Sequence, residues 1–563
     1  YRSGRMLPAD GSRLEHPEKF GARRAANFIA RGRLQASLRR VLQAPLHLPK
    51  WLEVPASKGQ WPQPERVYVP RAREEITLAR WLREKKVRAV ALCGVGGIGK
   101  STLARMMAER CSGDFDGVIY FSARDRFDSQ TDILDHLWRT VSLERPKELP
   151  TGSVTPEFKR SRLAAVFNSR SYLLLLDNLE ALTPDQTAEL SGLLQLIRHD
   201  SGTVALLTLR PEHFPPLLEA LKSDIQTLHI GGLEPADAVT LLAALAQRAD
   251  EALLAAGHAS IWKKIPADLE TPEPAGLLAE VARKTDVFLV PARRKQVRAL
   301  LKLAEIAGFH PFLLHGAMCD LQRPDQEWQD VEARLRSGEG KELHDLVDRW
   351  IGLMYDDLAR GSADGTGLLK ALCAFAGGAR PEVLRAVWTA GQNARRATTE
   401  DFDDAVRQAT GASLLEVCPA TRRFDMHPLV RQYVSRVQVT PPPERERWMR
   451  AHAKYFLEYA LRFHHDHTAL ESEQANLFAA VLEAGRYLAA EERIAIARTL
   501  SDFMLLRGWW SEARRLYYRA VEAAQAPAQR EHLPGLLYGL GHFARLLGDH
   551  AEAREHFEAG LHA

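Results

Sequence analysis

The spacing of apolar and polar positions changes character twice along the 563 residues of the chain. From Val67 to about Ile230, short apolar runs alternate with longer amphipathic stretches, the pattern of an α/β domain with a parallel sheet. The runs predict strands over Val87–Cys93, Val118–Phe121, Tyr172–Leu176, Val204–Leu209 and Thr227–Ile230. Leu173-Leu174-Leu175-Leu176 is apolar at every position, as a strand covered by helices on both faces requires. After Gly231 the strand pattern fades. Leu- and Ala-rich helical stretches punctuated by Gly and Pro then run to the end, with a loop expected at Glu270–Pro274. Before Val67 there is one basic helical stretch, Ala25–Leu42, and a linker marked by Pro49, Pro55, Pro62 and Pro64.

The tail carries a repeat. Leu506-Arg507-Gly508, Ala513, Tyr517 and Ala520 recur as Leu546-Leu547-Gly548, Ala553, Phe557 and Gly560, each 40 residues on. Small residues where two helices cross, with an aromatic ring over them, are the physical logic of tetratricopeptide-type helical hairpins, whose usual period is about 34 residues. Solenoids of this kind need several units, so an array that stops at Ala563 and a chain that opens on Tyr1 read as the core of a longer protein.

Composition adds exclusions. Apolar residues make up 45% and charged residues 26%, the balance of a globular protein. No apolar run approaches membrane-spanning length and no signal peptide opens the chain, so no membrane partner is expected. The five cysteines are scattered without a CxxC pair, which favours a reducing, cytoplasmic setting over a disulfide framework. The formal net charge of +4 is unevenly placed, with eleven Lys/Arg against three Asp/Glu in residues 1–50. That segment lacks interleaved aromatics and a helix-turn-helix pattern, so it reads as the tail of an upstream effector plus a linker, and nucleic acid is not expected as a partner.

The chemistry concentrates after the first strand. Gly94-Val95-Gly96-Gly97-Ile98-Gly99-Lys100-Ser101-Thr102 fits GxxxxGK[ST] between a strand and an amphipathic helix. Glycines let successive N–H groups turn inward around phosphates, and the helix N-terminus adds partial positive charge. Lys100 is expected to reach the phosphates of ATP or ADP and Ser101 to ligate Mg²⁺. Asp177, closing the leucine strand, is the expected second Mg²⁺ residue, and Glu180 is the nearby candidate for a hydrolytic base. Thr208 and Arg210 end the next strand, where the ligand crevice of a parallel sheet opens, so Arg210 is a candidate γ-phosphate sensor. His464-His465-Asp466-His467 reads as a polar turn between helices, and neither GxSxG nor HExxH occurs.

Several of these motifs, in order, resemble one family. Val67-Tyr68-Val69-Pro70-Arg71 and Gly94–Thr102 are similar to the opening of NB-ARC ATPases, and Leu173–Asn178 and Thr208-Leu209-Arg210 to their next two motifs. Gly308-Phe309-His310-Pro311-Phe312 looks like their GxP element, and Phe424-Asp425-Met426-His427-Pro428-Leu429 like their MHD motif. Leu470–Leu477 and the repeats look like the tail of bacterial members with tetratricopeptide sensors. The resemblance implies a signal-transduction ATPase with numerous domains, a nucleotide-gated switch. It implies that Val67, Val69, Arg71 and Pro311 lie beside the adenine and that His427 reaches the ADP β-phosphate. Two departures stand out: Pro428 replaces the Asp of the MHD motif, and Asn178 replaces a second acid, which points to slow or absent hydrolysis.

The implied layout is an effector tail and linker over 1–64, a P-loop NTPase domain with a parallel sheet over 65–230, and a helical domain over 231–340. A winged-helix domain over 341–440, a helical arm over 441–490 and a tetratricopeptide-like α-solenoid over 491–563 follow. The expected partners are ATP or ADP, a protein or small-molecule trigger at the repeats, and further copies of the chain when active, in bacterial defence. The rival reading is a transcriptional regulator built on the same core.

Overall fold

The computed structural model describes residues 68–123, Leu134, Leu137, Trp138, Val141, 156–210, 224–267, 276–285, 291–323, 325–337, 342–392, 397–417, 422–437 and 442–563. The expected helix at Ala25–Leu42, the proline-marked linker, Val67 and the loop at Glu270–Pro274 lie outside the described residues.

The N-terminal third of this region is a sheet sandwiched by helices. Helix α1 (Ala72–Glu84) leads into β1 (Ala89–Cys93), α2 (Lys100–Cys111), β2 (Gly117–Ser122), α3 (Pro156–Ser169), β3 (Tyr172–Asp177), α4 (Pro184–Leu196), β4 (Val204–Leu209) and β5 (Ile225–His229). The five strands are parallel in the order β2-β3-β4-β1-β5. The all-apolar leucine run does what its pattern requires. Leu173 and Leu175 face Met107 and Leu206, while Leu174 and Leu176 face Phe167, Leu190 and Leu207. Each such fully buried leucine contributes about 1.5–3 kcal/mol. Because β4 lies between β1 and β3, the residues that end β4 stand between the loop after β1 and the carboxylate that ends β3.

From α5 (Pro235–Ala255) the chain is helical: α6 (Leu277–Lys284), α7 (Val297–Ile306), α8 (Pro311–Gln322), α9 (Trp328–Arg336), α10 (Leu343–Gly361), α11 (Ala363–Leu372), α12 (Pro381–Gly391) and α13 (Thr399–Gly411). The expectation of helix alone is corrected at one point. Strands β6 (Glu416–Val417) and β7 (Phe424–Asp425) pair antiparallel, and Phe424 also bridges Ala379. Two-residue strands leave no period-2 signature in a sequence, because their pairing is set by the helices around them. Helices α14 (Pro428–Val437), α15 (Pro442–Phe463), α16 (His467–Ser472) and α17 (Gln474–Phe478) follow. His464 and His465 lie in the turn before α16, whose N-terminus Asp466 caps by accepting the Ala469 N–H at 3.0 Å. The buried residues from Leu233 to Phe543 form one continuous apolar core, distinct from the two clusters on the faces of the sheet.

The tail consists of two helical hairpins, α18 (Ala490–Leu506) with α19 (Trp510–Ala524) and α20 (Leu533–Leu547) with α21 (His550–His562). Ala513, Ala520 and Ala553 are buried where the helices cross. A Cβ on Gly541 would lie 2.8 Å from the Phe557 ring, so the closeness of α20 and α21 depends on glycine. A six-residue 3₁₀ turn, Pro527–His532, separates the hairpins and accounts for a period longer than usual.

Candidate nucleotide-binding site

The glycine-rich loop connects β1 to α2, which begins at Lys100. Gly97 (φ +76°) and Gly99 (φ +97°) adopt the left-handed backbone that this turn demands and that other residues adopt only at a cost. Gly94 is required for another reason: a Cβ there would lie 2.6 Å from the Ile230 carbonyl oxygen. Arg71, 5% exposed, fastens the loop by donating from Nη2 to the Ile98 carbonyl at 2.8 Å and from Nη1 to the Gly231 carbonyl at 2.9 Å. Val69 is buried just before it, and Thr102 continues α2.

Lys100 is buried, and its Nζ donates to the carbonyls of Gly94 at 2.7 Å and Val95 at 2.9 Å. The ammonium thus lies inside the loop that it would serve. Ser101 Oγ donates to Asp177 Oδ1 at 2.8 Å, which joins the head of α2 to the end of β3. Thr208 on the intervening β4 donates to the same Oδ1 and accepts the Asn178 N–H at 2.8 Å. Asn178, in the left-handed region at φ +57°, donates from Nδ2 to Asp177 Oδ2 at 2.9 Å. Two side chains, those of Thr208 and Asn178, therefore aim one carboxylate at Ser101. A hydroxyl beside an oriented carboxylate, next to a glycine loop and a buried ammonium, is a donor set that fits a Mg²⁺-bound nucleotide phosphate.

Glu180 and Arg210 come together, with Arg210 Nε 3.4 Å from Glu180 Oε1. Arg210 Nη2 also donates to Gln432 Oε1 on α14 at 3.3 Å. A Cβ on Gly96 would lie 3.3 Å from Arg210 Nη2, so the guanidinium rests against the loop itself.

Residues from the helical half of the chain close over the loop. Gly308 (φ +59°) and Phe309 (φ +55°) turn the chain tightly before Pro311 opens α8. The turn places His310, which is fully buried, with Nε2 3.0 Å from the Gly96 carbonyl oxygen. Burial, aided by the charges of Arg71 and Lys100, pushes the His310 pKa down to about 4, against the opposing effect of the Gly96 bond. The ring is therefore neutral at physiological pH and donates from Nε2, while Nδ1 is buried without a hydrogen-bond partner. Leu429 of α14 covers the loop from the other side, and a Cβ on Gly97 would lie 2.8 Å from it. His427, which precedes α14, stacks on Phe312 at 4.5 Å between ring centres and accepts the Leu429 N–H on Nδ1 at 3.3 Å. Pro428 occupies the first turn of that helix, where a missing N–H costs nothing, so its replacement of Asp is locally benign.

The sequence motifs thus converge, but the residues that hold them together were not read from it. The roles of His310, Leu429 and Gln432 depend on helices that pack from more than 200 positions away. The available signal was a histidine between a left-handed turn and a helix-opening proline.

Residues 74–250 match the NB-ARC domain model. No curated protein matches the chain. Among solved structures, a signal transduction ATPase with numerous domains bearing a tetratricopeptide repeat sensor, from Pyrococcus horikoshii, is 13% identical with a TM-score of 0.37. That similarity covers 89% of this chain and 77% of the other. The ORC2 protein of Aeropyrum pernix is 14% identical with a TM-score of 0.26, covering 71% of this chain and 99% of its own. Drosophila ORC, in a structure bound to DNA, is 16% identical with a TM-score of 0.28, covering 65% and 95%. The glycine loop with its buried lysine, the oriented carboxylate of β3 and the matched sequence model agree: residues 74–250 are similar to an NB-ARC domain and carry the parallel sheet and glycine loop of a P-loop NTPase.

Proposed function

We propose that the protein is a nucleotide-gated switch that ADP holds closed and that a trigger at the tail hairpins releases toward ATP exchange and self-assembly. The observation that carries this reading is the closure of the loop by distant parts of the chain: His310 on Gly96, Leu429 on Gly97 and Phe312 on His427. A ligand in the loop therefore affects how α8 and α14 pack, and packing of α14 affects the ligand. A ligand shifts such an equilibrium only by its differential affinity for the two arrangements. Nucleotide, when bound, supplies the phosphate charge and Mg²⁺ the coordinating cation. Lys100 and the head of α2 would answer the charge, while Asp177 holds Ser101 in place for the cation. Val69, Arg71 and Pro311 would flank the base, His427 would approach the phosphates from α14, and Glu180 would orient water if hydrolysis resets the switch. In this reading the tail hairpins are a tetratricopeptide sensor, residues 341–440 are a winged-helix module, and the output is an N-terminal effector in bacterial defence.

The test is chromatography of the nucleotide released when purified protein is denatured. ADP at about one per chain, lost in Lys100→Ala, is the expected result. Protein that carries no nucleotide and binds none when ADP is added would contradict the reading.

A further inference from the structure

Gln432 lies on the exposed side of α14, yet its side-chain oxygen accepts a hydrogen bond from Arg210, 222 positions earlier in the chain. Arg210 has three neighbours of different kinds: the carboxylate of Glu180, the amide of Gln432 and the backbone of Gly96. Two belong to the sheet module and one to α14, the helix whose Leu429 covers the loop. A guanidinium has five donors in a rigid plane and cannot lose its charge, so it turns toward whichever acceptor carries more negative charge. A neutral amide is the weakest acceptor of its surroundings.

Resting on the switch reading above, we propose that Gln432 is the latch through which Arg210 reports phosphate charge to α14. With a diphosphate in the loop, Arg210 keeps its bond to Gln432 and α14 stays seated. With a third phosphate beside Gly96, the greater charge draws the guanidinium away from the neutral amide, and α14 loses a polar anchor next to Leu429. Glu180 then acts as the resting partner of Arg210 on the sheet side, a positioning residue that keeps the guanidinium at the edge of the loop. The choice of glutamine is part of the device. A carboxylate at 432 would compete with phosphate, and an apolar side chain would offer no anchor.

This makes substitutions at 432 opposite in sign, which a merely structural role would not. Gln432→Glu should hold Arg210 more tightly and slow the release of a fluorescent ADP analogue by about threefold, the scale of an exposed ion pair. Gln432→Ala should speed release by about threefold. In an Arg210→Ala background both effects should disappear, since neither side chain then has its partner. Gln432→Glu should also lower the preference for a non-hydrolysable ATP analogue over ADP. Because Gln432 is exposed, the single substitutions at 432 should melt with the wild type. Equal release rates in the three proteins, shifts of the same sign for Glu and Ala, or effects that survive Arg210→Ala would overturn the latch. Failure of the wild type itself to bind the analogue would instead overturn the underlying switch reading.

Discussion

Beyond the core they share with the helices before them, residues 342–437 are held on two further sides by contacts of opposite character. Toward the arm, the seam is buried and saturated. Glu473, 2% exposed, accepts from Arg423 at 2.6 and 3.1 Å and from Asn476 at 2.9 Å, and pairs with Arg380 at 2.8 Å. Asn476 in turn accepts the N–H groups of Ala376 and Gly377 and donates to the Gly378 carbonyl, so each of its polar atoms is used. Trp448, His452 and Phe456, spaced four apart on α15, add an apolar stripe against Phe375 and the region around Trp388. Toward the P-loop, the contacts include Leu429 on glycine, Leu343 against the apolar core of the sheet module and the exposed Arg210–Gln432 bond, with His427 against Phe312 beside them. The first seam cannot open without stranding buried charge. The second can open at the cost of the apolar contacts around Leu429 and one exposed hydrogen bond. A switch needs one of each: a joint that yields, and a lever that does not.

The largest expected effect comes from breaking the joint that should not yield. Glu473→Ala leaves Arg423 without its carboxylate partner and should cost about 3–5 kcal/mol, the range for removing one member of a buried pair. Thermal melts should show it clearly, while ADP affinity at low temperature stays near wild type. Loss of ADP binding in a protein that still melts cooperatively would blur the contrast between the seams.

Acid should act on the arm seam and on the histidine that closes over the loop. His310 and His452 have folded pKa values lowered by burial to about 4 and about 3, and His452 has no hydrogen-bond partner on either ring nitrogen. The unfolded chain binds a proton at each near 6.5, so stability is complete above that value and falls as pH drops toward the folded values. At pH 5 the loss should be about 2 kcal/mol per histidine. His452→Phe should make the pH dependence of the melting temperature shallower, and an unchanged slope would count against this assignment.

On the yielding side the effects should be smaller and should appear in nucleotide exchange. Leu429→Ala should speed ADP release about tenfold, as about 1.4 kcal/mol of the Leu-to-Ala loss falls on the closed form. His427→Ala removes the ring contact with Phe312, worth about 0.5–1.5 kcal/mol, together with the acceptor of the Leu429 N–H. It should raise the fraction of assembled protein seen with ATP by light scattering, and an unaltered monomer fraction would argue against a closing role for this ring.

The contrast also explains what could be read from the sequence. The strands were legible because Leu173–Leu176 and Val204–Leu209 are buried on both faces, which forces continuous apolar runs. The loop was legible because phosphate-cradling geometry needs glycine at fixed positions. Asp177 was legible as a strand end, but the Thr208 and Asn178 bonds that aim it follow from strand order, which no local pattern encodes. The two-residue β-ribbon, the His310 contact and the Glu473–Asn476 network are products of helix packing between distant segments. Arg71 shows the limit from the other side. Its position was flagged, yet its fastening of Ile98 to Gly231 needed the fold to be seen.

The central claim is that one seam opens and the other does not. Spin-label distances test it directly, with labels at Ala188 and Ala386 spanning the P-loop seam and labels at Ala386 and Leu461 spanning the arm seam, all on exposed positions. In Leu429→Ala protein, replacing ADP by a non-hydrolysable ATP analogue should lengthen and broaden the first distance and leave the second unchanged. A first distance that ignores the nucleotide, or a second that changes with it, would contradict the account.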